Sequence, residues 1–428
     1  MKKNNYLVIL FCLLTYGIKG QINTYSPYSY FGVGTIYNQG SSVNNALGGL
    51  GASLQSPYVL NHINPGSYSS LTITSFEIGL SSSFTEMFQN NLSQKNFNAS
   101  LLNIGLGFPI SEKIGFAFGL SPYSAVGYSV NSIVNDSFIG EANYHYNGSG
   151  GINKMLFGAS YEILEGLALG MNINYLFGSL DRETVIFSES SSTYFRDNSS
   201  NIINDIKPEL GILFSRNFNT KKINFGIVIS PENEVKSRTD VFQHTFSSSG
   251  EYEYFIDTIQ DNSSDLNYIQ LPLELKTGLS LEFNSKLLLG IDYHYTNWSN
   301  YSFNNSNYGY LIDNSIIILG GSYIPNKLDI HSYFKRVQYK FGFSYSSGYL
   351  DLNKLPNQTS FDSDNILKDM SVNFGLSLPM NKVFSMAHVG LRYGTRFDTD
   401  NNFIEEKYFN IFLSMTLNEK WFNKRKIQ

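Results

Sequence analysis

Cysteine is almost absent: Cys12 is the only one in 428 residues. It lies in a short apolar run, Tyr6 to Tyr16, behind Lys2 and Lys3 and ahead of the small Gly20. That layout predicts a secretory leader over residues 1–20, too short to cross a bilayer as a helix. Phe11 is too bulky for a lipoprotein cleavage site, so no lipid anchor is expected. Beyond the leader there is no cysteine, which excludes a disulfide-stapled fold and the cysteine-based zinc sites. Charge is also scarce, at 15 %, where a soluble chain carries about 25 %. The net charge is −5, and the leader takes three lysines with it. No basic footprint for nucleic acid exists. After the leader no run reaches the roughly 18 apolar residues of a membrane helix. Two classes remain: a secreted all-β protein and an outer-membrane barrel.

What the chain has in abundance is aromatic residues, 33 Phe and 30 Tyr against 2 Trp, and strict alternation. Leu167, Leu169, Met171, Ile173, Tyr175 and Phe177 alternate with Ala168, Gly170, Asn172, Asn174 and Leu176. A strand puts these sets on opposite faces. The same pattern recurs from Leu102 to Phe108, Leu273 to Phe283 and Val372 to Leu378. A soluble sandwich alternates too. Here the polar face is mostly Gly, Ser and Asn, as suits a crowded lumen, and the apolar face runs for about ten residues, the length of a tilted membrane strand.

Fourteen such strands are predicted, at 71–84, 97–109, 114–127, 143–162, 167–180, 205–217, 222–232, 268–283, 287–299, 312–324, 338–349, 368–378, 384–397 and 407–417. The connections alternate in length. Short ones at 110–113, 163–166, 218–221, 284–286 and 379–383 are interleaved with long ones at 85–96, 128–142, 181–204, 234–267, 301–311, 350–367 and 398–406. Short periplasmic turns alternating with long surface loops are the rule for such barrels. Only 325–337 is too long for the short side. An even strand count then predicts both termini in the periplasm. The fold class is therefore an all-β, transmembrane antiparallel β-barrel of about fourteen strands.

The stretch Asn44 to Leu71 has neither period. It is Gly-rich and nearly uncharged, and it reads as a plug within the lumen. As a plain surface loop it would be unusually long. The expected organisation is leader 1–20, plug 21–70, barrel 71–417 and a periplasmic tail 418–428 that carries Trp421-Phe422 and Lys424-Arg425-Lys426.

Catalytic chemistry finds no foothold. The six histidines show no metal-ligand spacing, and neither Gly-x-Ser-x-Gly nor a phosphate-binding loop occurs. No enzyme, metal or cofactor is expected. Alternation instead turns Glu77, Glu274, Lys276, Glu282, Asp292, His294, His388, Arg392 and Arg396 into the lumen, because a charge facing lipid is costly. Filling the lumen and bonding the plug is their simplest role. Arg392 and Arg396 are a candidate pair for an anionic head group, since guanidinium binds carboxylate in bidentate fashion. Pro122 cannot donate to a ladder, so it marks a rim, bulge or kink. A break there leaves a carbonyl to satisfy, and the plug is expected to touch the wall near it.

Four places resemble the FadL-like family of long-chain fatty-acid and hydrophobic-compound transporters. Ala46-Leu47-Gly48-Gly49 with Asn64-Pro65-Gly66 is similar to the family's hatch, which has Ala where Gly66 stands. Gly119-Leu120-Ser121-Pro122-Tyr123-Ser124 resembles its kinked third strand, where the wall has a gap. Leu271-Pro272-Leu273 to Ser280, and Gly320 to Pro325 with Phe341 to Tyr345, resemble two further strand motifs. The resemblance implies a fourteen-strand barrel with a hatch and passive uptake of a small hydrophobic, fatty-acid-like ligand across the outer membrane. It points to Pro122, Tyr123 and Ser124 as a lateral gate. Outer-membrane lipid and that ligand are the expected partners. The alternatives are a barrel of the same fold serving protein secretion or assembly, with a periplasmic or surface protein partner, or a structural barrel without transport.

Overall fold

The computed structural model describes residues 24–37, 40–89, 92–136, 140–188, 191–249, 252–355, 365–380, 385–398 and 403–420. The leader 1–20 and the tail from Trp421 onward lie outside them. In chain order the strands are β1 Thr35–Ile36, β2 Thr74–Gln89, β3 Leu92–Pro109, β4 Ile114–Ala125, β5 Tyr128–Asp136, β6 Gly140–Leu164, β7 Leu167–Ser188, β8 Tyr194–Phe218, β9 Lys221–Ser230 and β10 Asn233–Ser249. They continue as β11 Tyr252–Leu271, β12 Glu274–Phe283, β13 Leu287–Thr296, β14 Ser302–Phe303, β15 Ser306–Asn307, β16 Asn314–Tyr323, β17 Gln338–Ser346, β18 Lys368–Pro379, β19 Met386–Phe397 and β20 Glu405–Glu419.

Fourteen of them form a closed antiparallel ring. The ring runs β2, β3, β4, β6, β7, β8, β9, β12, β13, β16, β17, β18, β19, β20 and closes where Thr74 to Phe88 pair with Glu419 to Glu405. Three staves break and continue outward. β4 and β5 part at Val126-Gly127, yet both pair with β6. β9 and β10 part at Pro231-Glu232, β11 and β12 at Pro272-Leu273. Proline has no N–H for the ladder, so a stave bends there and resumes.

Burial is inverted relative to a soluble sheet. On β7, Leu169, Met171 and Ile173 are exposed, while Asn172 and Asn174 are buried. Leu319, Phe341, Phe374 and Leu413 are likewise exposed around the ring. β12, β13 and β16 have ten residues each, a rise of about 33 Å that tilt reduces to an apolar band of about 25 Å. This is the outer surface of a membrane-spanning barrel. Leu319→Arg is accordingly expected to destabilise the barrel in lipid by about 2–4 kcal/mol. Urea titration in vesicles checks this, and an unchanged midpoint would place Leu319 outside the bilayer.

One expectation needs correction. The connections 85–96, 128–142, 181–204 and 234–267 are, in their described residues, largely paired strand extensions of β2, β3, β5 to β8, β10 and β11 rather than loops. Beyond the bilayer both faces meet water, so the lipid-versus-lumen alternation that marks a membrane strand disappears while the main-chain ladder continues. The connection 325–337 contains a helical turn, Tyr333–Arg336. β20 ends on the short-turn side, and the first described residues lie at the long-loop end. Ser26 donates to Glu406 at 2.5 Å, and the Tyr28 hydroxyl donates to the Ile404 carbonyl at 2.8 Å.

Candidate functional site

Residues 40–71 sit against the inward face of the ring, and wall glycines make the seat. A Cβ on Gly226 would stand 1.8 Å from the Ala52 carbonyl oxygen, on Gly115 2.0 Å from that of Tyr68, and on Gly342 2.2 Å from the Gly48 nitrogen. Gly170 lies as close to Pro65. Within the plug, Gly48 and Gly49 take φ of +81° and +103°, left-handed values that a side chain rarely tolerates. A short helix, Ser42–Ala46, is capped by Ser41, whose hydroxyl accepts from the Val43 N–H while Asn44 answers the Ser41 N–H. Asn64 is fully buried. Its amide donates to the Ala52 and Ile212 carbonyls, at 2.5 and 3.1 Å, and its oxygen accepts from the Gly66 N–H at 2.8 Å. Pro65 opens the 3-10 turn Pro65–Ser70, where a missing N–H costs nothing.

The lumen residues divide into groups. One oxygen of Asp292, wholly buried on β13, accepts from the Gly51 and Ala52 N–H groups at 2.7 and 2.8 Å. It is a plug anchor. Glu274 is ion-paired with Lys207 and lies 3.6 Å from Lys276, which is 3.9 Å from Glu209. Glu209 accepts from Asn172, and Asn172 accepts from the Tyr68 hydroxyl of the plug at 3.0 Å. Lys207 also reaches the Tyr123 hydroxyl at 3.4 Å. A continuous polar chain thus links the plug to the bulge beside Pro122. Lys207 and Glu209 were legible from the alternation of residues 205–217, where Ile206, Leu210, Ile212 and Phe214 face outward.

Arg392 donates to Asn373 and to Asn45 of the plug, at 2.8 and 3.2 Å. Arg396 is held by Glu406 at 2.7 Å and Asp369 at 3.4 Å. The two line one cavity of about 320 Å³, together with Lys276, His294, Ser344 and Glu406 and with apolar side chains such as Ile316, Ile318 and Phe412. His388 bonds Ser377 and Thr416 in the wall. Glu282 lies beside the short turn at Asn284.

Pro122 is a bulge. Its register with β6 slips between Pro122 and Ser124, turning Tyr123 inward to burial. On the other side the β3–β4 ladder ends at Ile104–Leu120. Above that pair the wall parts. Within the expected plug 21–70, the Gly-rich stretch touches β4 lower, at Gly115 and Gly119, where Tyr68 and His62 pack. The bulge is covered by residues 35–37 of the same plug. Thr35 and Ile36 pair with Ala125 and Ser124, and the Tyr37 N–H donates to the Tyr123 carbonyl at 3.0 Å. Tyr123 lies beyond the last β3–β4 pair, so its carbonyl has no ladder partner on β3, and the strap supplies the donor such a group needs in lipid. Tyr37 also bonds Ser100 on β3, so the strap spans the parting.

Above the strap is a second cavity, of about 200 Å³, walled by Tyr30, Tyr301, Phe303, Tyr308 and Tyr310. Arg182 stands at it, donating to the Gly32 carbonyl at 3.1 Å. Nothing in its local sequence marked this arginine, because β7 there runs beyond the bilayer.

Closed ring, seated plug and parted wall define a plugged transmembrane barrel of FadL-like architecture. The chain belongs to the BamG family, whose model matches residues 1–428. Among solved structures it is similar to a Pseudomonas aeruginosa FadL homologue, with TM-score 0.58 and 12 % identity over 90 % of this chain and 99 % of that one. The Pseudomonas putida toluene transporter TodX matches with TM-score 0.56 and 14 % identity over 89 % and 99 %. The Ralstonia pickettii toluene transporter TbuX matches with 0.53 and 14 % over 88 % and 98 %. No curated protein matches the sequence. The FadL-like fold expected from the motifs is thereby borne out.

Proposed function

We propose that this chain is an outer-membrane channel for passive uptake of small hydrophobic compounds of the fatty-acid kind. The observation that carries the reading is the parted wall between β3 and β4, closed only by the strap Thr35–Tyr37 among the described residues. An apolar ligand collects in the tyrosine-walled cavity, where Arg182 supplies a cation for a carboxylate. Movement of the strap then opens a sideways path into the bilayer, so the ligand avoids the polar lumen. The toluene transporters TodX and TbuX share the fold, which supports the class of ligand without naming it.

The test uses a cysteine pair at Ile36 and Ser124, register partners across the strap, in a chain whose only other cysteine is in the leader. Oxidation is expected to lower uptake of labelled oleate into proteoliposomes at least tenfold, and reduction to restore it. Uptake that ignores the crosslink removes the lateral route.

A second reading, a barrel serving protein secretion or assembly, is favoured by a different observation. Paired charges, Arg396 with Glu406 and Asp369, stand in the main cavity among its Ile, Leu and aromatic side chains. Native mass spectrometry separates the two: a co-purifying fatty-acid-like molecule supports uptake, a co-purifying protein the alternative.

A further inference from the structure

The hairpin of β10 and β11 rises beyond the bilayer and is left bare. Every described side chain from Tyr252 to Ile259 is exposed, on both faces of the sheet. Tyr252 is 72 % exposed, Phe255 61 % and Ile259 58 %, with Tyr254 and Ile256 close behind. Five such side chains, divided between the two faces, present on the order of 500 Å² of apolar surface in all, in the range where exposed apolar surface is often functional. The outer edge of β11 is also open. Among the described residues it pairs only with Ser302–Phe303, at Ile269–Gln270. Here the bilayer is no explanation, because the hairpin carries acids among its apolar residues. Residues 251–265 hold five Asp and Glu and no Lys, Arg or His.

One of these acids is compensated. Arg196 donates to both oxygens of Glu253, at 2.8 and 2.9 Å, and holds that carboxyl below its ordinary range. The same guanidinium stacks on Phe246, 4.6 Å from the ring centre, and so stiffens the root of the blade. Asp257 and Asp261 have no basic partner among the described residues, and both are exposed.

We propose that this tip is a docking blade for a partner protein that offers a basic cleft with an apolar floor. The occupant follows from charge and geometry. A second copy of the chain would set acid against acid. Lipopolysaccharide phosphates would be repelled in the same way. Addition of a plain β-strand to the edge is disfavoured, because β11 is interrupted against β10 at three places, between Ser237 and Thr239, Gln243 and His244, and Thr245 and Phe246. Such bulges blunt an edge for strand pairing. Recognition therefore falls to side chains, and exposed Tyr and Phe inside an acidic rim are the residue types that anchor protein interfaces. The inference holds whether or not the lumen transports anything.

The experiment places a photo-crosslinking amino acid at Tyr254 of the full chain in intact cells, with one at lipid-facing Phe374 as the comparison. The expected result is a discrete adduct at Tyr254 with a protein other than this chain, absent at Phe374. Asp257→Lys with Asp261→Lys should lower its yield at least tenfold, as should Phe255→Ser with Ile256→Ser. Heat-modifiable migration in gels shows that each variant still folds as a barrel. An adduct of two copies, an adduct with lipopolysaccharide, no adduct, or a yield indifferent to charge reversal overturns the proposal. None of these readouts depends on uptake, so their failure leaves the transport reading untouched.

Discussion

Asp292→Ala is expected to unseat the plug while leaving the barrel closed. The wild-type carboxylate is buried and accepts two backbone N–H groups, from Gly51 and Ala52. Hydrogen bonds to a charged group are worth about 1.5–3 kcal/mol each, and a buried donor left alone costs its desolvation. Losing both removes roughly 3–6 kcal/mol from the seat of residues 51–52. At about 1.4 kcal/mol per tenfold, the unseated population rises by at least a hundredfold. The ring itself loses little, since β13 keeps its ladders to β12 and β16. Two measurements check this. Protease should cut near Gln55–Tyr58 in the variant and not in the wild type, and single-channel recordings should show new openings. Asp292→Asn keeps an acceptor without the charge and should fall between the two. A variant plug as resistant as the wild type would mean that the wall glycines, not this carboxylate, hold it.

Gly226→Val tests the other half of that statement and should act as strongly. A Cβ there meets the Ala52 carbonyl oxygen at 1.8 Å and the Asn64 side chain at 3.0 Å. The first contact is with a backbone oxygen, and a Cβ has its position fixed by its own backbone, so no rotamer relieves it. Valine suits a strand, and β9 retains its partners β8 and β12. The barrel should therefore assemble, with the plug forced off its seat and conductance raised as in Asp292→Ala. Gly309→Val is the control, for none of the described residues lies within 4 Å of a Cβ at Gly309. Because Gly226 and Asp292 both act on Ala52, the double variant should open little more than either single one, the mark of a shared element. Full additivity would show two independent seats.

These two residues also show what a sequence can say. Gly226 sits on the inward face of a predicted strand, and the inward excess of Gly, Ser and Asn over Lys and Glu was visible without coordinates. It reports a lumen too crowded for side chains. The alternation likewise marks all fourteen staves, because lipid outside and a polar lumen inside impose opposite chemistry on successive residues. Lumen orientation of Glu274, Lys276, Asp292, Arg392 and Arg396 follows from the same rule. So does the break at Pro122, since proline has no N–H to give a ladder.

Partnership is another matter. Nothing near Asp292 announces that its oxygen will meet Gly51, some 240 positions earlier, nor that Glu406 will take Ser26 and Arg396. The strap Thr35–Tyr37 has no pattern of its own; it is a strand only because β4 leaves β3 at Leu120 and exposes groups that need bonding. Above the bilayer the extensions of β5 to β8, β10 and β11 read as loops, because water on both faces imposes no alternation. The sequence by itself therefore determined the ring, its facing and its crowding, all of which depend on what each residue's two sides touch. Tertiary structure alone decided which lumen charge holds the plug, which is paired in the wall, and what closes the parted stave. Those choices depend on closure of the ring, which brings distant backbone and side-chain groups to hydrogen-bonding distance.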